Sequence, residues 1–557
     1  LAAHRPASGR RLRIAAITLA TVLGVVILLL AAAGFGGRWY LAGSVARYTG
    51  EVQVAGLHHP VEITYDGRGI PQIWAETDAD AYFALGWVHA SERVFQMELL
   101  RRLSSGRLSE LFGEAAFQAD VRQRTIGFHR LGERVLAEVD DHTLALIEAY
   151  VAGINRWIDQ ARPLPPEFLV LRTRPGAWTP LDVATAFVYQ SWYPTELADR
   201  RWANRTVLAG LGEEALELIS VPRSWTLPSA PEGALAALLD PDHYPMRMTV
   251  ATNNWAIAPS RSASGHALHA ADPHLAINSL PGFWYLVGLR SGEGTAALGV
   301  TSPGIPIVPM GHNGRAAWSF SVAPIFLTDH FTETFDPQDS LRVMTPEGYA
   351  PVEVAWEEIR VKGEDDPRRI PIHRTPRGVL VERDGDTGTS MHWSGFDLMG
   401  GDALAAGFEV SGVTSFDGFQ EVVDRLPVLS VNWIYSDREG NIGYQLGPAL
   451  PRRSYNPVSE QDAADPEVRL DGYHEPEMRP SALNPGQGWV ATTNNRPAPD
   501  GWPVEIHGAF NLFRIERVEA WVNAKPRLDR SDMEAMQLDY VSGRAERWRD
   551  LAADGAA

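Results

Sequence analysis

The sequence predicts an α+β fold, and three observations carry that reading. Between residues 39 and 220, apolar residues recur at three- and four-residue spacing over long stretches, the mark of amphipathic helices. After Thr252 the pattern changes to short alternating apolar runs separated by Gly, Asp, Asn or Pro turns, the mark of strands. An apolar run from Ile14 to about Phe35 stands apart from both. With 557 residues, 45% hydrophobic and 21% charged, the chain has the make-up of a globular body with a sizeable core. A net charge of −19 without a long Lys/Arg run in the body argues against a nucleic-acid partner. Cysteine is absent, which excludes disulfides, a thiol nucleophile and Cys-based zinc sites.

From the N-terminus, Arg5, Arg10, Arg11 and Arg13 precede the apolar run, which is long enough to cross a hydrocarbon core of about 30 Å with its roughly 20 residues. Cleaved signal peptides have a shorter apolar region of about 7–15 residues, although Ala31-Ala32-Ala33 offers a cleavage site. The expectation is an uncleaved inner-membrane anchor, basic flank in the cytoplasm and catalytic part periplasmic. Residues 52–75 read as two strands around the turn at Asp66-Gly67-Arg68-Gly69. Residues 78–103 read as a helix with Phe83, Trp87, Phe95, Leu99 and Leu103 on its apolar stripe, followed by helices over 142–158 and 181–211, the last broken near Pro194. Trp192 and Tyr193 on that last helix are candidates for core or for a pocket lining. Pro222, Pro228, Pro231, Pro241 and Pro245 mark an exposed connector.

Beyond it, Thr252-Asn253-Asn254 reads as a loop feeding a strand at Trp255-Ala256-Ile257-Ala258. Further strands are expected at 283–290, 295–300, 317–322, 352–361, 378–382, 431–437 and 442–446, with a hairpin turn at Asp437-Arg438-Glu439-Gly440-Asn441. Gly292-Glu293-Gly294-Thr295-Ala296-Ala297 fits a dinucleotide fingerprint formally, but Gly299 and Pro303 forbid the helix that should follow, so it is a turn. No Gly-x-Ser-x-Gly elbow, His-Glu-x-x-His or phosphate-binding loop occurs, and His269, His274 and His312 lack the spacing of a zinc site.

Five pieces occur in a telling order: Thr252-Asn253-Asn254-Trp255, Asp272-Pro273-His274-Leu275, Gly311-His312-Asn313-Gly314 ahead of Trp318-Ser319-Phe320-Ser321-Val322, Thr493-Asn494-Asn495-Arg496-Pro497, and Arg514. Together they resemble the penicillin acylase family, amidases of the N-terminal nucleophile hydrolase class, and the resemblance runs from about Val52 to Leu551. It implies an αββα sandwich, a largely helical α-subunit region and an α/β heterodimer made from one precursor by self-cleavage. The implied division is 1–38 basic flank and anchor or signal, 39–220 α-subunit region, 221–251 spacer and 252–557 β-subunit region. Family members run on past the region around Gly543-Arg544, so a C-terminally incomplete chain with unpaired sheet edges is expected.

The implied activity is hydrolysis of a linear amide of an N-acylated small molecule, such as a β-lactam side-chain amide or an acyl-homoserine lactone, through an ester on Thr252. An α-amine with an ordinary pKa near 7.7–8.0 suits a general base at neutral pH, so a terminal Thr supplies nucleophile and base together. By the same resemblance the backbone N–H of Val322 and the side chain of Asn494 are the oxyanion donors, Arg514 positions substrate or amine, and His274 lies close to the nucleophile. Most of the family has Gly-Ser where this chain has Ala251-Thr252. The alternative is therefore a catalytically impaired relative acting as a membrane-tethered binding protein. No cofactor is needed for the chemistry. A structural calcium ion is implied at Asp329, but Phe326 replaces one Asp ligand and Arg201 falls at or near the α-subunit Glu, with Glu196 as a gapped alternative. Calcium wants six to eight oxygens, so weak or no binding is expected, with Arg201 pairing with Asp329.

Overall fold

The computed structural model describes residues 8–160, 163–198, 251–275, 281–499, 501–510, 513–543, 545, 546 and 549. Most of the expected connector, residues 221–250, and Arg201 lie outside these residues. The first helix, Ser8–Ser44, carries the apolar run; within its segment Arg13–Ser44 an 18-residue stretch has a mean hydropathy of 2.8 and is not buried by the protein. A helix of this kind fits a membrane anchor or a cleavable signal equally.

The helical region rests on one close crossing. Asp78–Ser105 starts where the Thr77 side chain accepts from the Asp80 N–H and ends at Gly106 in the left-handed region (φ 64°). It packs against Asp141–Asp159 so closely that a Cβ on Gly86 would sit 2.0 Å from the Tyr150 carbonyl oxygen, and one on Gly153 1.9 Å from that of Phe83. Glycine at both positions is what lets the backbones touch. Pro180–Ala198 continues through Pro194 rather than breaking there. One continuous apolar core runs from Ile73 and the helices through the later strands to Ile506, so the segments before and after the connector fold as one body.

Among the described residues the strands form three main sheets. A nine-stranded sheet runs in the order Glu62–Tyr65, Pro71–Ala75, Tyr285–Ser291, Ala296–Ser302, Ile305–His312, Ala316–Val322, Val431–Asp437, Ile442–Leu446, Ser481–Leu483. A three-stranded antiparallel sheet has Ala251–Ile257 at its centre, flanked by Trp489–Thr492 and Leu268–His274. A separate sheet is built around Thr328–Asp336 and Thr387–Trp393. Side-chain alternation fixes the layering of the first two. Trp255 and Ile257 pack with Val518, Val522, Met533 and Met536 of the helices Phe513–Asn523 and Arg530–Gln537. Asn254 points the other way, onto Ser319 of the large sheet. Trp433, on the far face of the large sheet, meets Phe419 of the helix Phe416–Asp424. The local order is helix, large sheet, small sheet, helix.

Two expectations change. Thr252, Asn253 and Asn254 belong to the strand itself, Ala251–Ile257, not to a loop before it. Polar residues suit this strand because the partners that satisfy them, Ser319 and Asn494, stand on neighbouring strands and loops. Leu268–His274 and Ile305–His312 are strands that were not among those expected, and they contain Pro273, Pro306 and Pro309. The turns at 292–295 and 437–441 are as expected, joining paired strands.

Candidate active site

Thr252 is the second residue of the central strand in the small sheet, and its side chain lies on the face turned toward the large sheet, 3% exposed. Its backbone N–H donates to Asn494 Oδ1 at 3.2 Å. Asn494 follows the neighbouring strand Trp489–Thr492 and sits at φ 62°, a left-handed conformation that Asn tolerates better than most residues. Asn494 Nδ2 donates to the Val322 carbonyl at 2.6 Å. Arg514, at the start of the helix Phe513–Asn523, donates through Nη2 to Asn494 Oδ1 and through Nη1 to Asn253 Oδ1 at 2.9 Å. Burial draws the Arg514 guanidinium down to about 10, opposed by Asp272, so it remains a cation at neutral pH. Four residues far apart in sequence, Thr252, Val322, Asn494 and Arg514, thus meet within one hydrogen-bonded cluster.

His274 is placed differently. In the ladder between the two strands, Ala251 pairs with His274 and Thr252 with Pro273, so the imidazole lies on the opposite face from the Thr252 hydroxyl. There its Nε2 meets Asp272 Oδ2 at 2.7 Å and lies 3.5 Å from Asn253 Nδ2. Asp272, Asn253 and Asn432 were missed as site residues. Asn432 Nδ2 is a second donor to the Val322 carbonyl, at 3.3 Å. Asp272 stands in a motif already singled out, whereas nothing in the local sequence around Asn432 marks it.

The Thr252 side chain opens into a cavity enclosing about 1090 Å³ of empty space, its solvent-facing mouth included. The lining is mostly apolar, with Tyr193, Phe283, Trp284, Phe320, Ile307 and Trp433 among its walls. Gln190 Nε2 donating to Ser302 Oγ at 2.6 Å is a polar pair within that lining. Of the two aromatics left open by the sequence, Tyr193 lines the cavity, while Trp192 meets Trp393 edge to face in the core.

Asp329 does not present a vacant carboxylate. Arg453 reaches it through Nε at 2.7 Å and Nη2 at 3.0 Å, and the Tyr455 hydroxyl donates to it at 3.0 Å. Glu196 is engaged by Arg122 at 2.9 Å and the Trp192 indole at 3.1 Å, and Phe326 is buried. Among the described residues no group of three or more His, Cys, Asp or Glu could hold a metal ion. These partners are cations and N–H or O–H donors, so the donor set around Asp329 does not fit calcium.

Against known proteins, residues 60–556 match the family described as Penicillin amidase. The acyl-homoserine lactone acylase QuiP of Pseudomonas aeruginosa is 28% identical over 563 residues, 92% of this chain and 65% of that protein. The penicillin acylase 2 proenzyme of Pseudomonas sp. (strain SE83) is 28% identical over 533 residues, 91% of this chain and 67% of the relative. The chain thus spans about two thirds of the length of these curated relatives. The solved thermostable penicillin G acylase from Alcaligenes faecalis aligns with a TM-score of 0.47 and 24% identity, covering 51% of each chain.

Proposed function

Because this chain belongs to the penicillin amidase family, we propose that it is an amidohydrolase that cuts itself between Ala251 and Thr252 and then uses Thr252 to hydrolyse a linear amide of an N-acylated small molecule. The observation that carries the reading is the Thr252 N–H bound to Asn494 Oδ1 at 3.2 Å, with the Thr252 side chain on an apolar cavity. In the precursor the hydroxyl attacks the Ala251 carbonyl carbon, the peptide nitrogen leaves as an amine, and water opens the ester. The amine so freed takes the hydroxyl proton when Thr252 attacks substrate. The acyl C–N bond then breaks, the leaving amine takes up the proton, and water hydrolyses the acyl-Thr252 ester.

The surrounding groups have distinct tasks. Asn494 has two N–H donors; one is held by the Val322 carbonyl, and the second serves the oxyanion together with the Val322 N–H. Arg514 polarises the Asn494 amide and, as a nearby cation, lowers the pKa of the Thr252 amine so that it stays a base near neutrality. His274, held by Asp272, acts on the site only through Asn253 and the strand backbone, as a positioning residue. The cavity takes the acyl group. The helix–sheet–sheet–helix order around Thr252 supports the αββα sandwich of the N-terminal nucleophile class. The apolar helix Ser8–Ser44 supports membrane attachment, with the catalytic body on the periplasmic side.

A second reading, a binding protein that retains the cavity without turnover, draws on Ala251-Thr252 standing where most of the family has Gly-Ser. Intact mass separates the two. Purified protein incubated with an activated acyl ester should resolve into two polypeptides, with the acyl mass on a peptide beginning at Thr252. One uncut, unmodified chain that still binds N-acyl amides would establish the binding protein instead.

A further inference from the structure

A continuous line of polar side chains lies between the two sheets behind Thr252, and the chemistry described above does not use it. His269 sits between Ser436 Oγ, 2.9 Å from Nδ1, and Ser319 Oγ, 2.7 Å from Nε2. Asn254 Nδ2 donates to Ser319 Oγ at 3.2 Å, and Thr492 Oγ1 donates to Asn254 Oδ1. Ser321 and Thr492 hydroxyls lie 2.5 Å apart, Asn432 Nδ2 donates to Ser321 Oγ at 3.4 Å, and the Tyr444 hydroxyl donates to Asn432 Oδ1 at 2.9 Å. Asn254, Ser319, Ser321, Thr492, Asn432 and Ser436 are all buried and His269 is half-buried, so the bonds among the Ser, Thr and Asn members are shielded from water.

Proton counting gives the line a single direction. Asn254 Oδ1 can only accept, so the Thr492 proton must point at it, and Ser321 must therefore donate to Thr492. Ser319 accepts from Asn254, leaving its own proton for His269 Nε2, and Nδ1–H then donates to Ser436. Donation runs from Tyr444 through Asn432, Ser321, Thr492, Asn254 and Ser319 to His269 and Ser436. A neutral imidazole protonated on Nδ1 completes it and gives the Ser319 proton an acceptor. Burial supports the neutral form, pushing the His269 pKa down to about 4.

The members stand where they can set the site's geometry. Asn254 is on the same face as Thr252 and two residues beyond it; Thr492 is two residues before Asn494; Ser321 precedes Val322, whose carbonyl accepts from both Asn432 and Asn494. We infer that His269 and the donor line it completes form a positioning device that holds the Thr252 strand, the Asn494 segment and the Val322 segment in mutual register for attack. This rests on the Thr252 reading above. A displacement of about 1 Å in such an array costs on the order of 10²-fold in rate.

The test compares His269→Leu, which removes both hydrogen bonds, with His269→Gln, whose Oε1 can still accept from Ser319. Self-cleavage rate, kcat and KM are measured well below each variant's thermal midpoint. The expected result for His269→Leu is a kcat and a cleavage rate lower by roughly 10- to 100-fold with KM little changed. His269→Gln should recover most of that loss. A His269→Leu protein that is merely less stable, cleaving and turning over as fast as the parent when folded, overturns the inference. Nitrogen-15 NMR of histidine-labelled parent protein gives a readout independent of activity. The expected species at neutral pH is the Nδ1–H tautomer of His269, and an Nε2–H tautomer or an imidazolium there overturns the donor line even if Thr252 is the nucleophile. A parent that never cleaves instead counts against the Thr252 reading.

Discussion

Replacing Asn494 with Asp separates fold from chemistry at the proposed oxyanion site. Asn494→Ala would be the blunter change. It removes the acceptor for the Thr252 N–H and for Arg514 and the donor to Val322, each neutral bond worth about 0.5–1.5 kcal/mol net. It also places Ala at φ 62°, a conformation costing about 1–2 kcal/mol for an ordinary L-residue. Asn432 still serves the Val322 carbonyl, so the expected destabilisation is about 2–5 kcal/mol, enough to blur any loss of rate. Asp tolerates the same backbone, keeps an oxygen for Thr252 and gains an ion pair with Arg514. What it loses is the N–H pair, and what it adds is negative charge where negative charge develops. Loss of one oxyanion donor costs about 10²–10³, roughly 2.7–4 kcal/mol, and the added charge raises the barrier further. The Arg514 ion pair offsets the lost Val322 bond and the repulsion between the new carboxylate oxygen and the Val322 carbonyl, so Asn494→Asp should keep a thermal midpoint closer to the parent's than Asn494→Ala does while its turnover of a chromogenic acyl amide falls by about 10³ or more. Its self-cleavage should slow in parallel. A folded Asn494→Asp with turnover within about threefold of the parent would remove Asn494 from the oxyanion site.

Three further predictions concern acid stability, membrane attachment and calcium. His269 titrates near 4 when folded against 6.5 when free, so its contribution is fully present above 6.5 and is lost as pH falls from 6.5 toward 4. The loss is about 1.4 kcal/mol per pH unit, and His89, pushed down to about 3 by burial and Arg93, adds a slope of the same sign. Urea denaturation between pH 7 and 5 should show a shallower acid slope in His269→Gln than in the parent; equal slopes would show that His269 titrates normally in the fold. The protein should stay with the membrane fraction after a high-salt wash, which strips only electrostatic attachment, whereas a soluble periplasmic form beginning near Gly34 would show cleavage of the helix. Extensively dialysed protein should contain no stoichiometric calcium, because Arg453 and Tyr455 hold Asp329; a one-to-one calcium content by elemental analysis would contradict that.

The sequence was most legible where one residue type had to stand at one point. Long periodic helices such as Asp78–Ser105 and Asp141–Asp159, and alternating strands such as Val431–Asp437, were read within a few residues of their ends. The Thr252, Val322, Asn494 and Arg514 cluster was visible as an ordered set of motifs, although no periodicity could have said that these positions meet. The strands Leu268–His274 and Ile305–His312 were not read, and each carries proline, a residue that weakens a strand pattern because it lacks an N–H for the ladder. His274 could be placed near Thr252 in sequence space but not on a face, since that depends on strand register. The line from Tyr444 to Ser436 was not legible at all. Apart from His269 and Tyr444 its members are ordinary Ser, Thr and Asn residues, which matter because they are buried together between two sheets.

Whether Thr252 performs both self-cleavage and turnover is decided by N-terminal sequencing of every polypeptide in an active preparation, alongside Thr252→Ala and Thr252→Ser. The parent should yield one fragment beginning Thr-Asn-Asn-Trp, Thr252→Ala, which lacks the hydroxyl for either attack, a single inactive chain, and Thr252→Ser a cleaved, active protein. An active preparation with no fragment beginning at Thr252, or a Thr252→Ala protein that hydrolyses amides as fast as the parent, would contradict the assignment and the mechanism built on it.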